Sequence, residues 1–114
     1  MALPDLQRQL VDALVGNYCK NKVPAYLREK LFNDYKIRGN SVIIFESRQH
    51  WQDHSLRTEV VVAQFRFDPK TSKWTLYCAD RNSRWHIYDL VTPTKNLQEL
   101  IDQVEEDKTG IFWG

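Results

Sequence analysis

The stretch VVAQFRFDPKTSKWTLYCADRNSRWHIY, Val61 to Tyr88, decides the fold. Apolar residues alternate with polar ones in three runs: Val61, Ala63, Phe65 and Phe67; Trp74, Leu76 and Cys78; Trp85 and Ile87. A period of two is the signature of β-strands with one face buried. The turn residues Asp68-Pro69-Lys70-Thr71-Ser72 and Asn82-Ser83 separate the runs, so consecutive strands pair as hairpins. Closing the first hairpin with Phe67 opposite Trp74 pairs Phe65 with Leu76 and Gln64 with Tyr77. Closing the second on Asn82-Ser83 pairs Asp80 with Trp85, Cys78 with Ile87 and Tyr77 with Tyr88. The two registers agree on a core face of Val61, Ala63, Phe65, Phe67, Trp74, Leu76, Cys78, Trp85 and Ile87.

Outward from this meander, Val42 to Arg48 predicts one more strand before it, giving four in all. Leu3, Leu6, Leu10, Ala13 and Leu14 form a helical stripe over about Pro4 to Tyr18. A second helix is expected from Pro24, with Leu27, Leu31 and Tyr35 on one face and Arg38-Gly39-Asn40 ending it. Beyond the sheet, Asn96 with Glu99 suggests a capping box for a helix carrying Leu97, Leu100, Ile101 and Val104, with Gly110 as its C′ residue. The terminal Ile111-Phe112-Trp113-Gly114 is expected to dock rather than fray. The expected architecture is one α+β domain over residues 1–114: two N-terminal helices, a four-stranded antiparallel meander and a C-terminal helix on one sheet face.

A chain of 114 residues suits one domain and buries roughly two-thirds of its unfolded surface. Hydrophobic residues at 42% and charged residues at 27% belong to an ordinary globular chain. No basic-then-apolar leader opens it, and its apolar runs fall far short of the roughly 20 residues a membrane span needs. A cytoplasmic protein with no membrane partner is expected. Cys19 and Cys78 are too few for a disulfide scaffold and are expected to be packed thiols.

The segments Arg38-Gly39-Asn40-Ser41-Val42, Val62 to Thr71, Trp74-Thr75-Leu76-Tyr77, Asp80 to Tyr88 and Thr109 to Gly114 resemble those of a family of small uncharacterised bacterial proteins, a domain of unknown function. The resemblance runs from about Val23 to the C-terminus. It implies a free-standing bacterial cytoplasmic domain and transfers no catalytic or binding residue.

Catalytic chemistry finds little support. His50 and His54 fall in the loop from Ser47 to Thr58 without a CxxC pair, and Cys78 and His86 lie elsewhere, so no metal site is expected. Glu46, Asp80, Asp89 and His86 are the available acid–base groups, and the expected registers put Asp80 and His86 on opposite faces. The four glycines are dispersed and make no phosphate loop. No cofactor is expected.

Charge distribution says more. Residues 1–35 carry five basic and four acidic side chains, residues 36–88 nine and five, residues 89–114 two and six, so +1, +4 and −4 sum to the overall +1. The sheet is basic and the last helix acidic. On the expected open face, Arg48, Arg66, Arg81 and Arg84 surround Tyr77, His86 and Tyr88, an arrangement suited to single-stranded nucleic acid or another anion, because guanidinium pairs with phosphate while rings stack on bases. The alternatives are a solvated face held by a Tyr77–Tyr88 pair, and a homodimer or partner-protein contact built on Val42, Ile44, Val60 and Val62, with Trp51 as an anchor. A small enzyme with an unrecognised site is the remaining alternative.

Overall fold

The computed structural model describes residues 2–114. Helix α1 (Asp5–Lys22) and a single 3₁₀ turn (Ala25–Leu27) lead into five antiparallel strands, β1 (Leu31–Arg38), β2 (Ser41–Gln49), β3 (Arg57–Asp68), β4 (Lys73–Ala79) and β5 (Trp85–Ile87), followed by α2 (Leu97–Glu106). The strands are neighbours in chain order, β1-β2-β3-β4-β5, an uninterrupted meander. Both helices lie on one face of the sheet, α1 against β1 and α2 against β4, and they touch each other. Among the described residues no helix is long and apolar enough to cross a membrane.

The expected second helix is instead β1, which gives five strands and one N-terminal helix. Leu31 and Tyr35, four apart, satisfy a strand's period of two as well as a helix's. Pro24 sits at an extended ψ of 147°, with only one 3₁₀ turn after it. Gly39, at φ +55°, opens the two-residue turn that folds β1 onto β2 with Arg38 opposite Ser41.

The β3–β4 register matches the expectation: Phe67 pairs with Trp74, Phe65 with Leu76 and Gln64 with Tyr77. The β4–β5 register is one residue off. Asp80 donates its N–H to the Arg84 carbonyl, leaving Arg81, Asn82 and Ser83 as a three-residue loop with Ser83 at φ +61°. Tyr77 therefore pairs with Ile87 and Cys78 with His86. An odd loop in place of an even one reverses every side chain that follows. Ile87 is 60% exposed and Trp85 only half-buried, whereas Tyr88 is buried against Phe112 at a ring separation of 5.0 Å.

A bulge in β3 makes the other correction. Ile44 pairs with Ala63 but Phe45 pairs with Val61, so Val62 is an extra residue. On the covered side of the bulge lie Val42, Ile44 and Val62, all buried, so the apolar patch expected on the open face belongs to the core. Val61 turns to the open face opposite Phe45, and Val60 remains exposed.

In α1 the buried stripe is Val11, Val15 and Cys19, flanked by Leu10, Leu14 and Tyr18, while Leu6 is 74% exposed and Ala13 is exposed as well. Gly16 lets the helix lie close on β1, since a Cβ there would stand 3.4 Å from the Tyr35 ring. The Tyr35 hydroxyl donates to Asp12 at 2.6 Å.

Helix α2 buries Leu97, Leu100, Ile101 and Val104 as expected. Asn96 caps it by accepting from the Gln98 N–H, but its own N–H donates to the Thr94 hydroxyl, so Glu99 does not close a capping box. Asp107, in the left-handed conformation at φ +47°, ends the helix in place of Gly110. The tail does dock: Phe112 is buried, and the Trp113 indole donates to the Tyr18 hydroxyl at 3.2 Å.

Candidate functional site

The face away from the helices is uncovered, and the strand register orders its side chains into rows. One row runs Arg38, Ser41, Arg66, Thr75; the next runs Lys36, Ile43, Gln64, Tyr77, Ile87. Arg66 is the centre. Its guanidinium carbon lies 3.8 Å from the Tyr77 ring centroid, and its Nε donates to the Gln64 side-chain oxygen Oε1 at 2.5 Å. Gln64 is itself buried, so the Arg66 plane is fixed from below and from beside. The terminal nitrogens of that guanidinium have no ion-pair partner among the described residues, and two neighbouring donors in a fixed plane match the geometry of a phosphate or carboxylate.

The same device recurs along the face. Lys36 lies 4.7 Å from the centre of the Phe45 ring while pairing with Glu59 at 2.9 Å, and Arg57 lies 4.8 Å from the centre of the Phe32 ring while donating to Ser47 Oγ at 2.9 Å. The face is therefore a series of cations laid flat on aromatic rings. Trp85, two positions before Ile87 on β5, adds a half-buried ring beyond Tyr77.

Of the residues expected on this face, Arg66 and Tyr77 are brought together. The others are elsewhere. Arg48 projects on the helix side at the exposed end of β2, paired with Glu46. Arg81 and Arg84 are exposed in the β4–β5 loop, about 17 Å along β4 from the Arg66 row. Tyr88 is core. Trp51 is 78% exposed at the β2–β3 turn, where it stacks with His50 at 6.3 Å between centroids. The register slip carries His86 to the helix side and into contact with Asp80, at 2.8 Å between Nε2 and Oδ2.

That His–Asp contact is the one arrangement that the expected registers forbade. Asp80 also accepts from the N–H groups of Asn82 and Arg84 through Oδ1, and the His86 bond, more than these, holds its carboxyl below the usual carboxylate range. Nucleophilic catalysis needs a third member. Cys78, the nearest thiol along the chain, is buried, bonds the His86 carbonyl and not its ring, and has its pKa raised by burial. The dyad is a clasp on the hairpin loop. At the other end His50 Nδ1 accepts from the backbone N–H groups of Gln52 and Asp53, and among the described residues no group of three or more His, Cys, Asp or Glu is placed to hold a metal.

Lys36, Arg38, Phe45, Arg57 and Trp85 belong to the open face and were missed. Lys36 and Arg38 went unnoticed because β1 was expected to be helical. A family model described as Domain of unknown function (DUF3024) matches residues 3–114. No curated protein and no solved structure matches the chain.

Proposed function

The chain belongs to the DUF3024 family of domains of unknown function, and on that footing we propose that it is a non-enzymatic binding module whose open sheet face takes single-stranded nucleic acid. The observation that carries this is the Arg66–Tyr77 contact at 3.8 Å, which links the Arg38 row to the Lys36 row. Phosphates pair with Arg66, Arg38 and Lys36, while a base stacks beside Tyr77 or Trp85. The face spans five strands and its hollow among Lys36, Ile43, Phe45 and Val61 holds only about 140 Å³, which suits an extended strand better than an enclosed small molecule. The rival of self-association through this face loses the apolar patch on which it rested, because Val42, Ile44 and Val62 are core. A reducing, cytoplasmic setting fits the two free, buried thiols Cys19 and Cys78.

The test is fluorescence anisotropy with a labelled single-stranded RNA and DNA of about 20 nucleotides at low and moderate salt. Binding that weakens steeply with salt is expected. Arg66→Glu should weaken it more than tenfold and Tyr77→Ala by about 5- to 100-fold, in line with the loss of one stacked base. Binding that ignores both substitutions, or no binding at low salt, overturns the reading.

A further inference from the structure

We propose that the outer edge of β1 is a self-association surface, on which a second copy of the chain pairs its own β1 antiparallel about a two-fold axis through Tyr35. The two meanders then form one ten-stranded sheet. The inference rests on a strand edge, not on the nucleic-acid reading, although Lys36 and Arg38 serve both, and sedimentation without nucleic acid tests it alone.

The edge is long and regular. β1 pairs with β2 over all eight of its residues without a bulge or proline, and no described segment pairs with its other side. The opposite edge strand, β5, has three residues. Exposed edges are normally shortened, bulged or blocked, so a full-length regular edge invites another strand.

The direction of the backbone groups fixes which registers are allowed. The Lys30 carbonyl accepts from Gln49 of β2, and Arg38 and Ser41 close the hairpin, so even-numbered residues of β1 bond inward. Tyr35 accordingly points its N–H outward, where the Asp34 carboxylate accepts it at 2.8 Å. Two copies can bond only odd to odd. A two-fold through Tyr35 does this, pairing Tyr35 with Tyr35, Asp34 with Lys36 and Phe32 with Arg38. Opposite charges meet, and a cation meets a ring, twice each by symmetry. Neighbouring registers are poorer: centring on Lys36 pairs Asp34 with Arg38 but sets Lys36 against Lys36 at the axis, centring on Asp34 sets Asp34 against Asp34, and centring on Ile37 sets Lys36 against Arg38. In the pairing centred on Tyr35, its N–H passes to the carbonyl of the second copy's Tyr35 and Asp34 turns to Lys36.

A cavity opens at the same edge. About 220 Å³ lie between the end of α1 and β1, lined by Cys19, Val23, Phe32 and Asn33 among others. The register centred on Tyr35 places Ile37 of the second copy opposite Asn33, at the mouth of this cavity. Ile37 is a half-buried apolar side chain at the outer edge of its own sheet.

Sedimentation equilibrium on the full chain, with Asp34→Lys, Lys36→Glu and the double swap, tests the proposal. A dimer is expected below about 100 µM. Each single substitution should weaken it about ten- to thirty-fold by setting like charges face to face twice, and the double swap should restore it. Amide exchange on the unaltered chain provides a check that needs no variant: the N–H groups of Asn33 and Ile37 should slow as concentration rises. A monomer at about 100 µM overturns the proposal. A dimer indifferent to the single substitutions, a double swap that fails to restore it, or edge amides that stay fast at dimer concentrations do so equally.

Discussion

The Asp107 carboxylate accepts the backbone N–H of Trp113 at 2.8 Å, so the residue that ends the last helix also holds the C-terminal tail. Its other oxygen accepts from the Phe112 N–H at 3.0 Å. A tail of four residues has no core of its own, and these two bonds aim Phe112 at Tyr88 and Trp113 at Tyr18 and Lys22.

Asp107→Ala removes both acceptors and should cost about 1–3 kcal/mol in urea unfolding. Phe112→Ala should cost about 3 kcal/mol or more, since it empties a buried site between Tyr88 and the core. A larger loss from Asp107→Ala than from Phe112→Ala would mean that the carboxylate supports α2 and not the tail.

Burial pushes the Cys19 thiol up to about 12 and raises Cys78 as well. The thiolate is the reactive form, so both thiols should resist iodoacetamide at pH 8 in the folded chain and react readily in urea. Measuring the rate of mass gain with and without denaturant checks this. Rapid native labelling at either position would show that its shell opens easily.

Asp80 titrates below its ordinary value, chiefly because His86 bonds its carboxylate. A depressed carboxyl stabilises the fold in full above its unfolded pKa, about 3.9, and the contribution is lost as pH falls through the lower folded value. The β4–β5 hairpin should therefore loosen below about pH 4, seen as lost protection of the Asn82 and Arg84 amides relative to their intrinsic exchange rate at each pH. In Asp80→Ala that protection should be low at every pH.

Ser83 holds φ +61° as the third residue of the hairpin loop. Ser83→Gly should be neutral or raise stability by up to about 1 kcal/mol, while Ser83→Val should lower it by more than about 1 kcal/mol. Thermal melts of the two variants distinguish this backbone effect from a side-chain contact, which both would lose alike.

The parts legible in the sequence share a physical feature: a local pattern with one consistent solution. Phe65, Phe67, Trp74 and Leu76 could pair only one way across Asp68-Pro69, and Leu97, Leu100, Ile101 and Val104 fit a helix and nothing else. Leu31 and Tyr35 fitted two periods, and the choice between them was made by Gly39 and by pairing with β2, which are not properties of the segment itself. The candidate face was half legible. Arg66 and Tyr77 followed from the β3–β4 register, whereas Tyr88 and His86 depended on whether the loop at Arg81 held two residues or three. Asn82-Ser83 suggested the shorter loop, and the carboxylate of Asp80, which gathers the N–H groups of Asn82 and Arg84, selected the longer.

The extra residue at Val62 behaves as a swivel in the middle of β3. Ala63, Phe65 and Phe67 face the helices on one side of it, and Arg57, Glu59 and Val61 face away on the other. Pairing Val62 with Phe45 as an ordinary step, without the bulge, would leave the composition of the strand unchanged, yet it would shift every earlier residue by one and wheel Arg57 and Glu59 round to the helix side, away from Phe32 and Lys36. The outward chemistry of half of β3 hangs on one residue that the ladder skips.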